Sequence, residues 1–315
     1  MRLLLLPLLL TACAGPADDT GAATVDLRRD FPAAPDGGLQ FVTPEYTISP
    51  FSEEMWCTFL TYDDVTVGLH AQYTYQSDMG HHIVVNATNA DPDEYPDGVV
   101  RECTKTSDLP MTDMDPLMVG GVLGTEDNGH EGALELPDGM AARMSSGTRL
   151  ILQSHYVNTS PDPILVQDAV NFDLIPEDDV ETWAAAFVHL ETSHPIPAQS
   201  DYGITFTCPW EEEELNILFL GGHMHEWGRY FRTDMTRDGE TSTIYEVPEW
   251  DPVYRDAPPY DYYGPGEFPV RAGDSFTTNC EWTNDTDEVI DFPGEMCVTF
   301  GMLYPYKVPI VCDPD

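Results

Sequence analysis

The chain is short of positive charge. Thirteen Lys and Arg stand against 56 Asp and Glu, which leaves a formal net charge of −43 at pH 7 over 315 residues. A polyanion of this kind does not hold a phosphate backbone and does not adsorb to an anionic membrane surface, so nucleic-acid partners are excluded. The acids are spread along the whole chain, so they mark a solvated surface suited to salty surroundings rather than a cationic ligand. Beyond the N-terminus no apolar run reaches the roughly 18 residues that a membrane-spanning helix needs. No segment carries a helical period, no repeat recurs, and no cysteine pair has the C-x-x-C spacing of a zinc knuckle or a thioredoxin-like site. Low-complexity tracts are missing as well, and 42% hydrophobic with 11% aromatic residues is a globular composition. The length suits two ordinary domains or one large one.

What is present begins with "MRLLLLPLLLTACAG". Arg2, the apolar run Leu3 to Leu10 and the small residues after it predict an export signal over residues 1–12. Leu10-Thr11-Ala12-Cys13 resembles the lipobox of bacterial lipoproteins, which implies cleavage before Cys13 and lipidation of its thiol. With Ala14 rather than an aspartate next, the expected destination is the outer membrane or cell surface, with membrane contact only through the lipid anchor. The Ala-, Asp-, Gly- and Pro-rich stretch 13–40 reads as a flexible tether. Six cysteines remain after Cys13: Cys57, Cys103, Cys208, Cys280, Cys297 and Cys312. An even number in an exported chain predicts three disulfides, with the pairing left open by count alone.

Short runs rich in Val, Ile, Thr, Tyr and Phe alternate with turn clusters: "HHIVVNA", "TRLILQSHYVN", "LNILFLGGHMH", "MCVTFGMLYP". The predicted class is all-β, built as antiparallel sandwiches. "SPDP" and "PEDD" place a boundary near 178, giving units 41–178 and 179–315. The long aromatic loop "VPEWDPVYRDAPPYDYYGPGEF" reads as a surface excursion beside a cleft.

Five histidines fall in three patterns. His81 and His82 are adjacent at a strand start, His155 lies inside a strand, and His223 and His225 are two apart. Residues i and i+2 of a strand share a face, so His223 and His225 can offer two imidazoles to one point. His81 and His82 would face opposite ways on a regular strand; both can serve one ion only if the backbone bulges, which Gly80 permits. Met296, in "GEMCVTF", adds a thioether. Imidazoles with a thioether favour copper, because such sulfur suits Cu(I). Gln153, two residues before His155 on the same face, is a candidate to orient it. His70, His130, His189 and His194 have no motif around them and read as structural or surface residues.

The order His81-His82, His155-Tyr156, His223-Met224-His225, Glu295-Met296-Cys297 resembles the pattern of the copper type II, ascorbate-dependent monooxygenases, the family of peptidylglycine α-hydroxylating monooxygenase and dopamine β-monooxygenase. The resemblance covers about residues 45 to 312. It implies two jelly-roll β-sandwich domains facing across a solvent-filled cleft, each with a copper ion: one held by His81, His82 and His155, the other by His223, His225 and Met296. It implies the pairings Cys57–Cys103, Cys208–Cys312 and Cys280–Cys297. It further implies hydroxylation of an activated C–H bond of a small molecule by O2, with ascorbate or another one-electron donor, the reaction at the methionine-containing site and the second electron from the all-histidine site. The arginine, asparagine and tyrosine with which the peptide-hydroxylating members hold a carboxylate are replaced here by Gly221, Val298 and Phe300. A peptide substrate is therefore not expected, and an apolar pocket is. The alternative function is a copper-binding or storage lipoprotein without turnover.

Overall fold

The computed structural model describes residues 23–103, 114–116, 131–255, 258–292 and 294–312. The expected signal, Cys13, His130 and the first part of the expected tether lie outside the described residues. From residue 23 the chain is already part of the body: Val25–Asp26 pairs in parallel with Ile164–Val166.

The described residues contain strands and two single-turn 3₁₀ segments, Glu177–Asp179 and Pro252–Arg255, and no α-helix. This is the all-β, sandwich class expected. Its centre is an 11-stranded sheet running through both halves of the chain. Leu215–His223, Cys297–Tyr304 and Thr182–Glu191 form one end, and Met140–Met144, Val67–Tyr75, Ala169–Pro176 and Leu39–Val42 the other. The seam is the parallel pairing of Met140–Met144 with Thr182–Glu191. The chain passes from one end to the other through Glu177–Asp179.

A five-stranded sheet covers one end of this central sheet. It includes Ser52–Tyr62, Gly80–Thr88 and Thr148–Asn158. A four-stranded sheet, with Ser200–Pro209, Ser275–Asn284, Gly228–Arg237 and Glu240–Val247, covers the other end. The two cover opposite faces. Leu69, Ala142, Ala184 and Phe300 belong to one core with Ile83 and Leu152, whereas Phe187, Ile217 and Leu303 belong to the other with Phe276 and Trp282. Cys297–Tyr304, in the middle of the sheet, is buried at every residue. That is why "MCVTFGMLYP" reads as a continuous apolar run where an outer strand such as Ser200–Pro209 alternates.

The three disulfides are Cys57–Cys103, Cys208–Cys312 and Cys280–Cys297. The last ties the four-stranded sheet to the first residue of Cys297–Tyr304, and so anchors the chain just past Met296.

Candidate metal centres

His155 lies on Thr148–Asn158, directly opposite His82 on the antiparallel strand Gly80–Thr88. Paired residues share a face, so these two imidazoles meet. The next pairing along is Tyr156 with Gly80, which skips His81. His81 is thus the extra residue of a β-bulge, and the bulge turns it to the side of His82. Gly80 is required there, since a Cβ would stand 2.5 Å from Gln76 Cβ and 2.9 Å from the Ser77 carbonyl oxygen.

The three rings converge through their Nδ1 atoms. His155 Nδ1 is 3.3 Å from His81 Nδ1 and 3.4 Å from His82 Nδ1. Protonation follows from the partners. His155 Nε2 is 2.9 Å from a Glu53 carboxylate oxygen, which only accepts, so Nε2 carries a hydrogen and Nδ1 is the atom turned to the other two rings. Arg255 Nη2, which only donates, approaches His81 Nδ1 at 3.4 Å, so that atom acts as an acceptor. Three ring nitrogens, one from each histidine, thus lie within 4.8 Å of one another, a donor set that fits a metal ion. Glu53 completes a carboxylate–histidine pair that fixes ring and tautomer. Its own carboxyl is held below the usual carboxylate range, first by the bond from His155, against the opposing effect of partial burial.

Gln153 does not take the orienting part expected of it. Its Nε2 is buried without a partner, and the contacts to His155 come from Glu53 on the ring and from Gln76, whose Nε2 donates to the His155 carbonyl oxygen at 3.3 Å. Gln153 shares the face but is displaced along it.

The second set forms where Leu215–His223 ends. Met224 points into the core, fully buried, so its neighbours His223 and His225 project to the other side. Their Nε2 atoms are 3.1 Å apart. His225 Nδ1 donates to the Gly294 carbonyl oxygen at 3.1 Å, which leaves its Nε2 as the acceptor or ligand. His223 pairs with Val298. Met296 lies just before the paired strand, two residues from Val298, and its backbone N–H and that of His225 both meet the Glu295 carboxylate. The Met296 side chain packs on the buried cluster that contains Val298 and Phe300.

Glu295, a motif residue to which the sequence attached no role, organises this set. Its carboxylate accepts from the backbone N–H of His225 and of Trp227 and from Trp282 Nε1, each at 2.9 Å, and from the N–H of Met296 at 3.3 Å. One side chain therefore ties the His225 turn to the Met296 backbone. Burial pushes its carboxyl up to about 7, against the pull of these four donors.

Val298 and Phe300 are each 7% exposed and belong to the core, so the apolar pocket expected from them is filled by their own packing. Gly221 pairs with Phe300, whose ring occupies the space of a side chain at 221: a Cβ there would lie 2.6 Å from Phe300 Cζ. The aromatic loop packs partly on its own rings, Trp250 edge-on to Tyr254 and Tyr263 against Phe268. It also sends Arg255 to the first histidine set, where its Nη2 meets His81. Arg255 Nη1 pairs with Glu226, the neighbour of His225, and lies 3.5 Å from Glu53, the partner of His155.

The motif-free histidines are structural where described. His70 Nδ1 donates to the Met140 carbonyl oxygen, His189 meets Thr278, and His194 stacks on Trp282.

No family model matches the chain, and no curated protein matches it. Similar solved structures include the crystal structure of the STIV MCP, 7% identical over 83% of this chain and 96% of that one, with a TM-score of 0.34. Another is described as the triple jelly roll fold and turret assembly in an archaeal virus. It is 8% identical over 88% of this chain and 61% of that one, with a TM-score of 0.19. Likenesses this loose carry no argument about function.

Proposed function

We propose that this protein is a copper- and ascorbate-dependent monooxygenase of the copper type II family, exported and lipid-anchored through Cys13, that hydroxylates an activated C–H bond of a small molecule. The observation that carries the reading is the convergence of three histidine nitrogens at His81, His82 and His155, together with a second histidine pair whose Nε2 atoms meet and whose turn shares the Glu295 carboxylate with the Met296 backbone. A store would not need two sets of different character. Three disulfides support an oxidising compartment.

Copper, when bound, supplies one-electron redox chemistry and activation of O2. The residues do the rest. His81, His82 and His155 present three nitrogens to one ion, with Glu53 fixing the last. His223 and His225 present two more, with Met296 as a soft third donor that favours the reduced ion. Glu295 holds the backbone of the second set in register. Gly221 and Phe300 leave no room for the arginine of the peptide-hydroxylating members, so the substrate is held without that carboxylate clamp.

The test is copper titration with elemental analysis, followed by ascorbate-driven O2 uptake across a panel of small molecules with activated C–H bonds. Two coppers per chain and uptake matched by hydroxylated product are expected. Saturation at one copper, or a preference for zinc, refutes the two-site reading. Two coppers with no coupled uptake on any member of the panel gives the storage protein instead.

A further inference from the structure

Arg255 is the charge that stands beside the all-histidine trio, reaching also to Glu226 in the turn after His225. It is 16% exposed at its side chain and is held by three partners: Glu226, Glu53 and His81. The backbone that carries it is fixed beside the second set. Trp250 Nε1 donates to the His225 carbonyl oxygen at 3.0 Å, and the Tyr254 N–H donates to the Asp251 carbonyl oxygen at 2.8 Å. A guanidinium stays protonated at any ordinary pH. A fixed positive charge thus stands 3.4 Å from His81 Nδ1, one of the three atoms that converge on the first site.

We propose that Arg255 sets the charge preference of the His81/His82/His155 site, biasing it toward a monovalent over a divalent ion. The inference rests on reading this trio as a metal site. Repulsion between the guanidinium and a bound cation scales with the cation's charge, so it penalises a divalent ion about twice as much as a monovalent one. Partial burial limits solvent screening of that difference. Glu53 and Glu226 attract a cation in their turn, so the bias is relative: without the guanidinium the two carboxylates would favour the divalent ion more strongly. When an ion takes the His81 lone pair, Arg255 loses that acceptor but keeps Glu226, so its charge remains beside the site. For a site that alternates between Cu(I) and Cu(II), such a charge favours the reduced ion.

The test compares Ag(I), a stable monovalent probe, with Cu(II), by competition titration. The second set is disabled by His223→Ala with His225→Ala so that only the trio binds. Arg255→Gln should tighten Cu(II) about tenfold relative to Ag(I), the scale of a partly screened unit charge at this distance. Arg255→Lys, which keeps the charge and loses the fork, should hold the original ratio within about threefold. An unchanged ratio in Arg255→Gln overturns the proposal alone. So does an equal shift in both variants, because packing rather than charge would then be the cause. If neither ion binds the trio, or His81→Ala leaves binding unaltered, the metal reading of the trio falls and the proposal with it.

Discussion

Replacing Met296 by histidine separates binding from turnover at the second set. Imidazole is a good copper ligand in either oxidation state, so copper content should stay near two per chain. A third imidazole favours Cu(II), so hydroxylation should collapse. Full activity in Met296→His would mean that the thioether is not a ligand of the reactive site. Glu53→Gln acts one step from the other ion: the ring loses the carboxylate that fixes its tautomer, and affinity at the trio should fall about 10- to 100-fold. Isothermal titration reads this directly, and unchanged affinity would remove Glu53 from the site. His189 offers a test that no metal enters. It is fully buried in the second core, and burial lowers its pKa from 6.5 to about 4. The unfolded chain therefore binds a proton below pH 6.5 that the folded chain refuses until about pH 4. Stability from this group is complete above pH 6.5 and is lost as pH falls toward 4, by an amount on the order of 3 kcal/mol. His189→Leu keeps the volume and leaves Thr278 bonded to Thr299. Its melting temperature should fall less than wild type between pH 6.5 and 4, and parallel curves would contradict the assignment.

At the scale of the element, the bulge in Gly80–Thr88 is what brings two adjacent histidines to one side. Gly80→Val would press a branched side chain on Gln76, whose amide holds the His155 carbonyl. The bulge should straighten or shift, and His81 should leave the trio. Copper content should drop from two to one, with the second set intact; retention of both would show that the bulge is dispensable. Much of this was legible in the sequence, because period-two alternation and a glycine before a His-His pair are local signals. The parity of His223 and His225 about a buried Met224 is of the same kind. Glu53 was not legible, since one acid among 56 carries no information until the register of Ser52–Tyr62 against Thr148–Asn158 is known. Gln153 was the nearer guess by spacing along the strand and gave way to a contact across strands. Arg255 was visible only as part of an aromatic loop, because its partners come from other segments of the chain, two from strands and Glu226 from a turn. Val298 and Phe300 read as pocket residues because apolar character alone does not tell a lining from a filling.

At the scale of the molecule, the two sandwiches share a sheet rather than hanging from a linker. The seam between Met140–Met144 and Thr182–Glu191, with a core continuous from Leu69 to Phe300, fixes the relation of the two histidine sets. The same body carries a net charge of −43, and that charge opposes compactness at every point of the surface. Few cations relieve it: ion pairs such as Arg28 with Asp26 are exposed, where solvent screens them and they contribute little. Added salt should therefore stabilise the fold. The screening length falls from about 30 Å at 0.01 M to about 3 Å at 1 M, which removes repulsion between acids spread over the surface while weakening the few attractive pairs only slightly. At neutral pH the melting temperature should rise by several degrees over this range of sodium chloride. In acid, where most of the carboxylates are protonated, the rise should shrink toward zero, and this separates screening from a general salting effect. A melting temperature that falls with salt at neutral pH would show that attractive ion pairs outweigh the repulsion.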